Sequence, residues 1–141
     1  MSPKYAKSDR TILVVDDDRS VVEVLHKTLS KHGYQVLQAA TPEQAIAAIR
    51  DDGAPVDLLI VDCVMPNVSG PELADILLFV RPQMKVLFIT GLDGLAIDLA
   101  FGRDCECAQK PFTMRSLVAK VKEMLGETIP SPEAQITGDL K

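Results

Sequence analysis

Several residue types that mark large protein classes are scarce here. The 141 residues include three cysteines, two histidines, no tryptophan and only 4% aromatics. Three cysteines are odd in number and too few for a disulfide framework, so a reducing cytoplasm is the expected setting. Cys105 and Cys107 form a C-x-C pair, but no second Cys/His cluster completes a tetrahedral metal set. No apolar run approaches the roughly 18 residues of a membrane-spanning helix. The first ten residues, MSPKYAKSDR, lack the apolar stretch of a signal peptide. Positive charge is in deficit: 15 Lys and Arg face 20 Asp and Glu, for a net charge of -5. A phosphate backbone or an anionic membrane surface wants a basic face, so direct nucleic-acid or membrane binding is not expected.

What is present suits one globular domain. Hydrophobic residues make up 47% and charged residues 25%, which is ordinary for a chain that folds around a single core. Residues 1–10 read as a flexible segment, 11–125 as the domain, and 126–141, with Pro130 and Pro132, as a flexible tail or linker.

Within the domain, short apolar runs alternate with helical periodicities. Thr11-Ile12-Leu13-Val14-Val15 is a short β-branched run, the pattern of a strand buried on both faces. Val21, Val22, Leu25 and Leu29 then recur at helical spacing, and Gly33 is a C′ stop. A second strand is expected at Tyr34–Leu37. Thr41-Pro42-Glu43-Gln44 has the pattern of a capping box opening a second helix. A third strand is expected over Asp57–Val61. A turn-rich loop leads to Pro71, which opens a third helix through Val80. A fourth strand covers Lys85–Thr90, and a short helix lies near Asp93–Phe101. Cys105–Gln109 is a fifth strand, and Thr113–Leu125 a last helix. Five strands alternating with five helices predict an α/β domain: a mainly parallel, doubly wound sheet with helices on both faces.

In such a sheet, ligands bind beyond the carboxyl ends of the strands. The first strand ends at Asp16, Asp17 and Asp18, the third at Asp62, the fourth at Thr90, and the fifth at Lys110, followed by Pro111. Converging carboxylates repel one another, and a bound cation is the usual remedy. An all-oxygen, carboxylate-rich site suits Mg²⁺, which accepts one or two carboxylates plus a phosphate. A lysine ammonium and a threonine hydroxyl can hold phosphoryl oxygens. Together these groups describe phosphoryl transfer to a carboxylate. Asp18 reads differently, as a helix N-cap.

Four segments carry a resemblance: Val14-Val15-Asp16-Asp17-Asp18, Val61-Asp62-Cys63-Val64-Met65-Pro66, Ile89-Thr90-Gly91 and Lys110-Pro111-Phe112. In this order, each at a strand end, they resemble the receiver domain of bacterial two-component response regulators, over roughly residues 11 to 125. The resemblance implies a flavodoxin-like strand order 2-1-3-4-5. It implies that Asp62 accepts a phosphoryl group from a histidine kinase or histidine phosphotransfer protein, with Mg²⁺ as cofactor. Asp17 would ligate the metal directly, Asp16 through a metal-bound water, Asp62 through its carboxylate and Val64 through its backbone carbonyl. Thr90 would be the switch hydroxyl and Gly91 a close backbone donor. Lys110 would pair with the phosphoryl oxygens, and Pro111 would follow a cis peptide that aims Lys110 inward.

Two positions depart from the family's pattern. Cys107 stands where the family usually has Tyr or Phe, which puts the usual threonine–aromatic coupling in question. Ser69 stands where the loop commonly has Asp before Gly70. Cys63 reads as packing, and His26 and His32 as surface residues of the first helix.

The reading that absorbs these residues is a phospho-accepting signalling domain that controls a downstream protein partner. It would be a monomer or a phosphorylation-dependent homodimer. It catalyses only its own phosphorylation and slow dephosphorylation, so it is not expected to be an enzyme with a diffusing substrate. Two rivals differ in class. One is an Mg²⁺-dependent phosphohydrolase of haloacid-dehalogenase type, with Asp16 as nucleophile; the adjacent Asp16-Asp17 pair and the lack of a cap segment argue against it. The other is a pseudo-receiver binding scaffold, against which stand intact Asp16, Asp17, Asp62, Thr90 and Lys110.

Overall fold

A computed structural model describes residues 10–51, 55–66, 68–91, 105–109 and 112–127. Five strands run β1 (Thr11–Val15), β2 (Gln35–Ala39), β3 (Leu58–Asp62), β4 (Lys85–Thr90) and β5 (Cys105–Gln109). The helices are α1 (Arg19–Lys31), α2 (Pro42–Asp51), α3 (Gly70–Val80) and α4 (Met114–Met124). All neighbouring strands pair in parallel, in the order β2-β1-β3-β4-β5. The expected helix near Asp93–Phe101 falls outside the described residues.

The central strands explain their own composition. Every residue of β1 and β3 is buried. Successive side chains of a strand point to opposite faces. Leu13, Val15, Leu59, Val61, Val86 and Phe88 share one core cluster with Ala45 and Ile49 of α2 and with Leu73, Ala74, Leu77 and Leu78 of α3. Their strand neighbours Ile12, Val14, Leu58, Ile60, Leu87 and Ile89, equally buried, therefore face the other side. There α1 packs on β1 and β2, burying Val22, Leu25 and Leu29. Both sheet faces are thus covered, which is why β1 and β3 carry no polar alternation.

Helix boundaries follow local chemistry. The Asp18 carboxylate accepts the Ser20 N–H at 3.0 Å and the Ser20 hydroxyl at 2.7 Å, capping α1 as the sequence predicts. Gly33 sits at φ 93, just past the end of α1. At α2 the Gln44 N–H donates to Thr41 Oγ1 at 3.1 Å, while the Gln44 amide oxygen accepts from Ala40 rather than from Thr41. The capping pattern is therefore present, but closed one residue further out. α3 starts one residue before Pro71, because Ser69 and Glu72 form a reciprocal capping box. α4 is capped by Thr113, whose hydroxyl accepts from Ser116, and it buries Leu117, Val118, Val121 and Met124.

Two strands are displaced from their expected spans. β2 begins at Gln35, because Tyr34 donates its N–H to Leu29 O and closes the turn after α1. β3 begins at Leu58, because Asp57 works as a tie between strands rather than as a ladder residue. Its N–H donates to Thr11 O, its carboxylate accepts the Thr11 N–H at 2.8 Å, and its carbonyl accepts from Lys85.

Candidate functional site

β1 and β3 lie side by side with Val15 opposite Val61. The next residue on each strand is an aspartate, so Asp16 and Asp62 leave the sheet together at its carboxyl edge. Asp17 follows in the loop to α1. Carboxylate oxygens of Asp16, Asp17 and Asp62 all lie within 4.8 Å of one another. Asp16 is 2% exposed and Asp62 9%, while Asp17 is exposed. The structure thus brings together the three acids that the sequence assigns to a metal.

The geometry separates these acids from Asp18. Asp16 Oδ1 accepts the Asp18 N–H at 2.9 Å, which fixes the bend of the chain after β1. The Asp16 N–H donates to Ala39 O. Asp18 turns away to its capping role on α1. Three carboxylates this close repel one another by roughly 1 kcal/mol per pair in water and about 4 at an effective dielectric near 20. A divalent cation with oxygen ligands answers that repulsion, and the donor set, all carboxylate and partly buried, suits Mg²⁺.

Thr90 ends β4 on the strand next to Asp62 and is buried. The Cys63 N–H donates to Ile89 O at 2.9 Å, carrying the β3–β4 pairing one step past the acid. Val64 is exposed at the same edge. A Cβ built on Gly91 meets nothing within 4 Å, so among the described residues nothing there demands glycine. Lys110 and Pro111, expected to complete the site, lie outside the described residues.

Two features of the site were not legible in the sequence. The first is Gly70. A Cβ there would collide with the Asp62 carbonyl oxygen and would lie 2.9 Å from the Asp62 carbonyl carbon and from Cys63 Cα. All three are backbone atoms, which cannot yield as a side-chain tip can. The Gly70 N–H also donates to Cys63 O at 2.9 Å. The start of α3 is therefore seated directly on the backbone of Asp62 and Cys63. The Ser69-x-x-Glu72 capping pattern was the available signal for this helix start. Ser69, a departure from the family's loop pattern, is here the cap itself.

The second feature is Cys63. Its thiol is pushed up from 9.0 to about 12, first by burial, then by Cys107 and by Asp62, while a hydrogen bond with Thr90 pulls the other way. Cys63 therefore stays a neutral thiol at physiological pH and adds no charge to the acid cluster. It follows the acid of β3 in the chain and is hydrogen-bonded with the Thr90 hydroxyl of β4. Cys107, the altered switch position, is half-buried on β5 and packs against the core cluster that contains Cys63.

A parallel sheet in the order 2-1-3-4-5, with an acid cluster beyond β1 and β3, is a doubly wound α/β domain with its candidate site at the carboxyl ends of the strands. The comparisons give the family. Residues 12–122 match the response regulator receiver domain family, and the chain belongs to it. It is 35% identical over 118 residues to the response regulator receiver protein CpdR of Brucella abortus, covering 82% of this chain and 97% of that one. It is 33% identical over 117 residues to the sensor kinase CckA of the same organism, covering 82% of this chain but only 12% of the kinase. A crystal structure of the response regulator TrrA of Thermotoga maritima, in complex with Mg²⁺-BeF, superposes with a TM-score of 0.70 at 30% identity, over 82% of this chain and 98% of that one. The domain is thus a signalling module of two-component systems, not a conventional enzyme. No helix among the described residues is long and apolar enough to cross a membrane.

Proposed function

We propose that this domain takes a phosphoryl group onto the Asp62 carboxylate from a phosphohistidine of a kinase or phosphotransfer protein, in a reaction that requires Mg²⁺. The supporting observation is the clustering of Asp16, Asp17 and Asp62 within 4.8 Å at the carboxyl edge of the sheet. Asp17 and Asp62 would hold the ion directly, Asp16 through a water, and Val64 through its backbone carbonyl. When bound, Mg²⁺ neutralises charge that develops on the transferred group. An Asp62 oxygen attacks phosphorus, and the phosphohistidine nitrogen leaves. Lys110 pairs with the phosphoryl oxygens, the Gly91 N–H donates to them, and Pro111 aims Lys110 at the site.

The Thr90 hydroxyl, which contacts Cys63 in this structure, would move onto the phosphoryl group. That exchange of partners shifts the population between two conformations. With Cys107 in place of the usual aromatic, the shift relies on Thr90 and on the loop from Cys63 to α3. The readout is contact with a downstream protein, and the setting is the cytoplasm. The chain is read as residues 11–125 forming the receiver.

Incubation with a small-molecule phosphodonor and Mg²⁺, followed by peptide mass mapping, tests this. Labelling is expected on Asp62 alone, to be lost in Asp62→Asn and without Mg²⁺. Stoichiometric labelling of Asp16 instead would favour the phosphohydrolase reading.

A further inference from the structure

The strand ladder sets Cys63 beside Thr90. Asp62 lies opposite Ile89 in the β3–β4 pairing, and the Cys63 N–H donates to Ile89 O at 2.9 Å. Cys63 is therefore the next rung, level with Thr90. Val61 and Phe88, two residues back on each strand, belong to the core cluster on the α2–α3 side of the sheet, and so does Cys63. Period-two alternation turns Thr90 to that same side. Both side chains are buried, and they are hydrogen-bonded to each other. Cys107 lies level with Phe88 on β5 and packs against the same cluster. It offers a second thiol there rather than a ring.

A buried hydroxyl needs a hydrogen-bond partner. A thiol is a weak one, both as donor and as acceptor, so it is given up at little cost. A phosphoryl group on the neighbouring strand would offer the same hydroxyl a charge-assisted bond, roughly twice as strong as a neutral one. We propose that Cys63 is a positioning residue of the switch: its thiol holds the Thr90 hydroxyl in the resting domain, and the weakness of that hold sets how readily Thr90 passes to the acceptor site. This role rests on Asp62 being the phosphoryl acceptor. Cys63→Ala would release the hydroxyl in the resting state and favour its transfer. Cys63→Ser would hold it through a stronger O–H···O bond and oppose transfer. Both changes shrink the side chain, so a role in packing alone would drive the two variants the same way. A holding role drives them apart.

Beryllofluoride, which takes the place of a phosphoryl group on a carboxylate, is the probe. Calorimetric titration of the full chain in saturating Mg²⁺ should find Cys63→Ala tighter than the unmodified chain and Cys63→Ser weaker. Each step should be about 3-fold, the size of one modest hydrogen bond. On a Thr90→Val background the three affinities should become equal, because no hydroxyl remains to be held. Infrared spectra of the unloaded chain give a second readout. One S–H stretching band should shift in Thr90→Val, a comparison that does not need a Cys63 variant to fold. Affinities that move in the same direction for Cys63→Ala and Cys63→Ser overturn the holding role. So do affinities that Cys63 does not move, effects that persist on the Thr90→Val background, or S–H bands indifferent to Thr90→Val. A chain that takes up no beryllofluoride overturns the phosphoryl-acceptor reading itself, and the switch role of Cys63 with it.

Discussion

The two ends of the sheet hold carboxylates in contrasting settings. At the amino edge, Asp57 is used by backbone: its oxygen accepts the Thr11 N–H, while its own peptide groups bond β1 and β4. At the carboxyl edge, Asp16, Asp17 and Asp62 crowd within 4.8 Å of one another. Both places are strand ends, and in the sequence each is an aspartate beside a β-branched run. The difference lies in what surrounds the charge. A carboxylate that takes up backbone donors stabilises the fold. Carboxylates that face one another destabilise it and are kept for what they bind.

The carboxyl edge also depends on a contact that has nothing to do with charge, and breaking it should have the largest effect. Gly70→Ala would press a methyl group into the backbone of Asp62 and Cys63. Overpacking against immovable atoms costs about 3 kcal/mol. Urea denaturation should report that loss. Gly91→Ala, at the same edge, where no described atom lies within 4 Å of the added Cβ, serves as the matched control and should be close to neutral. Equal stabilities for the two variants would remove the claim that α3 is seated on the acid's backbone.

The contrast between edges can be tested through stability as well. Asp57→Ala should cost about 1–2 kcal/mol, since the half-buried Thr11 N–H loses its acceptor. Phosphorylation at the other edge should persist. Asp62→Asn, in Mg²⁺-free buffer, should instead raise stability by about 1 kcal/mol, because it removes like-charge repulsion. If both changes destabilise alike, the acid cluster is as structural as Asp57. Within the cluster, Asp17→Asn should weaken Mg²⁺ binding about 10-fold, worth ~1.4 kcal/mol, while Asp18→Asn leaves it nearly unchanged. Calorimetric titration separates the two, because Asp18 is committed to Ser20.

Much of this organisation is readable in the residues. The β-branched runs of β1 and β3, the strand-end acids and the Asp18 cap each follow from short-range rules, and the structure places them as read. What was not readable depends on contacts between distant segments. Gly70 looks like one more turn former until α3 is seen to rest on β3. Asp57 looks like the first residue of a strand until it is seen to tie β1 and β4. Ile76, Phe79 and Val80 sit in the apolar run Ile-Leu-Leu-Phe-Val, which hides which members face outward. Periodicity loses its signal when both faces of a helix are apolar. Cys107, at the altered switch position, packs against the core, a placement that its C-x-C spacing does not reveal.

Cys63 gives an effect that appears only in alkali, and it separates the carboxyl edge from the rest of the core by pH. In the unfolded chain its thiol ionises near the ordinary value of 9.0, whereas in the fold burial, Cys107 and Asp62 hold it up to about 12. Between those values the folded state keeps a proton that the unfolded state has released. Stability therefore falls as pH rises through 9, with a slope approaching about 1.4 kcal/mol per pH unit for this one group. Below pH 9 both states carry the thiol proton, and the group contributes no slope. Lysines and tyrosines also titrate above pH 9, so the decisive quantity is a difference between proteins. Urea unfolding at pH 8, 9 and 10 should show a steeper loss for the unmodified chain than for Cys63→Ala, whatever cavity penalty the variant carries at pH 8. Parallel curves for the two proteins would mean that water or a proton acceptor reaches the Cys63 sulfur in the folded state.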